Sequence, residues 1–148
     1  MPDHPIPPDQ RILEAAIRVF GEAGYAGGST EALARAAGVT KGALYWYFQD
    51  KADLFAEAVA LVVRRWALAG TAGSPAEVRH ALDRLGTEDP PGLLLLHRAA
   101  AELMADPSAP WGQPLTDWHT HVLTALGRDE WAQWLVDTHP VYGALPRP

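Results

Sequence analysis

The chain has 148 residues, 48% of them apolar, enough to bury one compact core or two small adjoining ones and too apolar for a disordered tail. It has no cysteine, which excludes disulfides, thiol catalysis and cysteine-based zinc sites. The net charge of −6 argues on average against a nucleic-acid partner, but DNA meets only one face of a protein, and the only two lysines, Lys41 and Lys51, lie close together. The apolar runs are too short to span a bilayer, and the opening Met-Pro-Asp-His-Pro lacks a signal-peptide pattern. A cytoplasmic chain without membrane contact is the expectation.

Helices are expected throughout, because no segment alternates as a strand does. Asp9 can cap a first helix with the apolar stripe Ile12, Ala15, Ala16, Val19 and Phe20. Gly24 should stop it, with Tyr25 folding back on Phe20. Ser29 caps a second short helix that turns Leu33, Ala34 and Ala37 inward and ends at Gly38. Thr40 caps a third, Lys41 to Phe48, and Gln49-Asp50 opens a long fourth from Lys51 whose stripe runs from Leu54 and Phe55 to Trp66 and which Gly70 should close. Thr71 to Ser74 reads as a loop and a seam in the chain, and the expected domains are residues 1–50 and residues 51–148, the second beginning with the fourth helix.

Ser74-Pro-Ala-Glu77 is a capping box with proline at the first helical position. The helix it opens should bury Val78, Ala81, Leu82 and Leu85 and stop at Gly86. Pro90-Pro91 precedes a helix apolar almost all round, as suits the middle of a bundle. Asp106 to Pro114 reads as a loop. Two amphipathic stretches, Leu115 to Leu126 and Glu130 to Thr138, come before a proline-rich tail.

Ser29 to Phe48 has the form of a helix-turn-helix: a helix, a glycine turn, a hydroxyl cap and a second helix. Leu44 and Phe48 share one face of that second helix. Gly42, Tyr45 and Trp46 lie on another, with Lys41 at its edge, the mixture of cation, close approach and hydroxyl that groove reading needs. The run Ala34 to Phe55, Ala-Arg-Ala-Ala-Gly-Val-Thr-Lys-Gly-Ala-Leu-Tyr-Trp-Tyr-Phe-Gln-Asp-Lys-Ala-Asp-Leu-Phe, resembles the DNA-binding signature of the tetracycline-repressor (TetR) family, and the likeness extends over roughly Arg11 to Val59. It implies that Lys41, Gly42 and Tyr45 meet base edges and that Thr30, Thr40, Tyr47 and Lys51 hold phosphates. It also implies an all-α fold: a three-helix head, a long fourth helix, and a C-terminal bundle, here shorter than the family's usual, that dimerises and binds a small molecule.

The expected function is therefore a transcriptional regulator, a repressor that binds a palindromic DNA operator as a homodimer and is released by a small hydrophobic ligand. A regulator with no ligand, or an interaction module that has lost DNA binding, are the alternatives. The apolar helix should border any cavity, which nominates Leu93, Leu96, His97, Ala100 and Met104, with Trp66 and Trp118 as aromatic walls and His97 as the polar handle. The last two helices have no later element to cover them, so Val122, Leu126, Trp131, Trp134 and Leu135 are expected at the dimer interface. Asp117, His119 and His121 do not converge on one helix face, so no metal is expected. No cofactor is implied, and the absence of nucleophile or phosphate-loop motifs argues against an enzyme.

Overall fold

Proline at a first helical position lacks only an N–H the helix cannot use, and α1 (Pro8–Gly27) begins on Pro8 with Pro7 as its cap. The cap is therefore Pro7 rather than Asp9, which lies in the first turn, where its charge suits the helix dipole. In the computed structural model, which describes residues 6–67 and 73–138, eight helices follow one another among the described residues with no strand. The expected closure at Gly70, the residues Thr71 and Ala72 of the seam, and the tail beyond Thr138 lie outside the described residues.

Gly24 breaks α1, but the helix resumes for one further turn to Gly27 instead of stopping. Its φ of 77° with ψ of 177° is a region open essentially to glycine alone. Gly24→Ala should therefore lower stability by about 1–3 kcal/mol in urea unfolding. Tyr25, just past the break, stacks on Phe20 with centroids 6.2 Å apart.

The next three helices start where their caps dictate. Ser29 Oγ accepts the Ala32 amide for α2 (Thr30–Ala37), Thr40 Oγ1 the Ala43 amide for α3 (Lys41–Tyr47), and Asp50 the Asp53 amide for α4 (Lys51–Trp66). Both halves of the Ser74–Glu77 capping box form at α5 (Pro75–Glu88). This helix runs through Gly86 and ends at Asp89, whose carboxylate accepts the Gly92 amide and starts α6 (Pro90–Ala105). Pro90 and Pro91 are thus the first turn of α6 and not its lead-in. Similarly, α7 (Gly112–Leu126) begins inside the expected loop and carries Pro114 in its first turn; Gly127 then turns the chain into α8 (Arg128–Thr138).

One continuous core runs from Ile12 on α1 to Trp134 on α8. In the head, α1 packs on α2 and α4, and its outer side lies along α6. That approach is close: a Cβ on Gly21 would stand 2.9 Å from the Pro91 carbonyl oxygen. Arg98 of α6 donates to the Gly21 and Glu22 carbonyls at 3.4 and 3.1 Å, satisfying acceptors left open where α1 breaks. No helix among the described residues is long and apolar enough to cross a membrane.

Candidate nucleic-acid interface and an apolar cavity

α3 has one buried wall and one open one. Leu44 is fully buried and Phe48 nearly so, and they hold the helix against the core, whereas Tyr45, Trp46 and Tyr47 are exposed, Trp46 by 81%. Lys41 and Gly42 are also exposed in the first turn. A Cβ on Gly42 would meet nothing nearer than Thr40 Oγ1 at 3.9 Å. The protein's own packing therefore does not require glycine here, while a surface that approaches α3 closely does.

Lys41 is held by Glu31 of α2, Nζ to Oε1 2.8 Å, with both side chains largely in solvent. The hydrogen bond and charge of Lys41 draw the Glu31 carboxyl below its usual range, and Glu31 raises Lys41 in return. Glu31 also accepts from the half-buried Thr30 hydroxyl at 3.3 Å. Nothing in the residue pattern singled out this acid, although its place in the first turn of α2 is where helix dipoles favour one.

Lys51 is placed differently. It is half-buried, its Nζ lies 4.6 Å from the centre of the Tyr25 ring, and it reaches the Ala26 carbonyl at 3.5 Å. Burial first, then the charges of Asp50 and Glu102, raise the Tyr25 phenol above its ordinary value. Thr30, Thr40, Tyr47 and Lys51 thus flank the α3 surface from three different helix starts and one helix end.

Residues 12–58 match the family described as bacterial regulatory proteins, tetR family. This stretch is similar to the TetR-type head. Over 48 residues it is 52% identical to the HTH-type transcriptional regulator AcrR of Shigella flexneri, a stretch that covers 32% of this chain and 22% of AcrR. It is 43% identical over 53 residues to the HTH-type transcriptional repressor AcnR of Corynebacterium efficiens, covering 36% of this chain and 28% of AcnR. The matched stretch is less than a third of those curated relatives' own length. The fold likeness goes further: a TetR family transcription regulator from Marinobacter aquaeolei VT8 superposes with a TM-score of 0.65 at 19% identity, covering 92% of this chain and 80% of that one. The all-α architecture of a TetR-type head on a helical bundle therefore holds well beyond the matched residues.

Behind the TetR-type head, α6, α7 and α8 line a cavity of about 350 Å³ that is open to solvent on one side. Leu93, Leu96, His97, Ala100, Met104 and Trp118, all nominated from sequence, lie on its wall. Met104 is at the rim, 86% exposed. Trp66 does not reach the cavity. It is fully buried, donates its indole N–H to Asp89 at 3.1 Å, and packs edge-on behind Trp118 and Trp134.

The residues expected at the interface are placed as follows within the single chain. Val122, Leu126, Trp131 and Trp134 are all buried within their own chain, the last with 1% exposure, so they are not on the surface for a second copy to meet. Trp131, Trp134 and the half-buried Leu135 line the cavity instead. The reason is α5: its Asp83 accepts the Trp134 indole N–H, and its Arg79 pairs with Glu130 and Asp137, drawing α8 inward. Among the described residues no cluster of three metal-ligating side chains forms. Asp117 accepts from Gln113, while His119 accepts the Trp131 indole N–H at Nε2 on the cavity wall.

Proposed function

We propose that this chain is a sequence-specific DNA-binding transcriptional regulator, a repressor that occupies a palindromic operator as a homodimer. The observation that carries the reading is the open wall of α3: an exposed cation, a glycine with free space above it, and exposed tyrosines on a helix anchored by a buried opposite wall. Lys41, Gly42 and Tyr45 read base edges, and Thr30, Thr40, Tyr47 and Lys51 hold the phosphates on either side. One head reads too few base pairs for useful specificity, so two copies act on two half-sites about one helical turn apart. Residues 1–50 read DNA, and residues 51–148 carry assembly and the cavity.

A small apolar molecule in that cavity releases the DNA. α6 supports the proposal, because one side of it lines the cavity while Arg98 and the close contact at Gly21 join its other side to α1. A ligand acts this way only to the extent that it binds the released form more tightly than the DNA-bound one.

Selection from a random DNA library tests the reading. Wild type should enrich a two-fold symmetric site. Gly42→Val should fold with unchanged helicity and stability within about 0.5 kcal/mol, since its Cβ has room, yet enrich nothing. No symmetric site from wild type, or the same site from Gly42→Val, would overturn it.

A further inference from the structure

The three indoles on the cavity wall all commit their N–H groups inside the protein. Trp118 donates to the Trp66 carbonyl at 3.2 Å, Trp134 to Asp83 at 3.1 Å, and Trp131 to His119 Nε2. They show the cavity only ring surface. Trp131 and Trp134 are nearly parallel, 14° apart with centroids at 5.3 Å, and His97 continues the stack on Trp134 at 17° and 6.5 Å. Trp118 stands at 76° to Trp131, so the wall offers rings in two orientations, and such a wall packs well against another flat ring.

Among the described residues no Asp, Glu, Lys or Arg lines the cavity, and the polar side chains on its wall are His97, Thr116 and His119. An indole can only donate, so Nε2 of His119 is an acceptor and the neutral ring carries its proton on Nδ1. Burial lowers the His119 pKa, which keeps the ring in this neutral form at neutral pH. At His97, Thr138 gives its hydroxyl proton to the Trp134 carbonyl at 2.8 Å and turns its lone pairs to His97 Nε2 at 3.4 Å, so a proton on that nitrogen is directed at Thr138 and not at the cavity. The wall thus combines flat rings and the His119 N–H, and among the described residues no carboxylate lines it to balance a cation. Attraction of a cation to the indole faces offsets only part of the cost of burying it unpaired.

We propose that the cavity takes a planar aromatic molecule bearing an acceptor oxygen, uncharged or anionic, and discriminates against cations built on the same rings. This rests on the cavity being a ligand site and is independent of the DNA reading. The test titrates the full chain by calorimetry with 2-naphthol, 2-naphthoate and 2-naphthylmethylammonium, which share one ring system and differ in charge. The first two should each bind about tenfold or more tightly than the ammonium. Ala100→Trp, which fills the cavity from its exposed edge, should abolish binding of all three. His119→Phe, which keeps a ring and removes the donor, should bring the preference below about threefold. An ammonium that binds as well as either partner, failure of all three to bind, indifference to Ala100→Trp, or a preference unchanged in His119→Phe would each overturn it. Library selection with the same protein keeps the two readings apart: DNA enrichment without naphthalene binding ends this proposal alone, and naphthalene binding without enrichment ends only the operator.

Discussion

Phe55→Ala should lower the unfolding free energy by about 3–5 kcal/mol, a large share of what a domain of this size holds. Phe55 is fully buried and meets three aromatic rings edge-on: Phe20 at 4.9 Å, Tyr25 at 5.2 Å and Trp111 at 4.5 Å. Two of these come from α1 and the third from the start of α7, so the ring joins the TetR-type head to the bundle. The Trp111 indole N–H is buried with no partner among the described residues, and the contact here is ring packing. Urea unfolding followed by tryptophan fluorescence and by far-UV dichroism measures the effect. A loss below about 1 kcal/mol would mean that the seam collapses around the cavity, and that Phe55 is not what joins the two parts.

What was legible in the residues, and what was not, follows the range of the forces involved. Ser29, Thr40, Asp50 and Ser74 were all recognised as caps, because a cap bonds an amide only three residues away. Gly86 misled for the complementary reason. Glycine permits a stop without imposing one, and α5 ends where Asp89 turns to cap the next helix. The apolar stripes of α7 and α8 were also legible, but a stripe says which face is buried and not against what. Trp131 and Trp134 looked like interface because the carboxylate that draws Trp134 inward, Asp83, lies 51 residues away on α5. Arg98 gave no signal at all: on an apolar helix it reads as a solvated charge, and only the fold brings it to carbonyls 76 and 77 residues earlier.

The same division separates the lysines of the TetR-type head, and their variants should differ in kind. Lys41→Ala should weaken binding to the selected operator by about 5- to 150-fold and relax preference at one base pair per half-site, as expected for a side chain in the first turn of the reading helix. Lys51 starts α4 with its ammonium over the Tyr25 ring, away from the reading face, and under the proposed function its contact is with the DNA backbone alone. Its replacement by alanine should weaken binding to all sequences alike and flatten the slope of log K against log salt by roughly two for a dimer with one contact per protomer. It should also lower the thermal midpoint slightly, because the ring contact is lost, whereas Lys41→Ala should leave it in place. Glu31→Gln isolates the DNA contribution of Lys41. If Lys41 serves mainly to hold Glu31 at 2.8 Å, removing either partner should have the same effect. If it reads DNA, Glu31→Gln should instead tighten binding, since it frees the ammonium and removes a negative charge beside the phosphates. Salt series on the three variants, each with selected and scrambled DNA, decide the matter. Parallel loss in Lys41→Ala and Glu31→Gln would remove Lys41 from the reading face, and equal loss of specificity in both lysine variants would collapse the distinction between them.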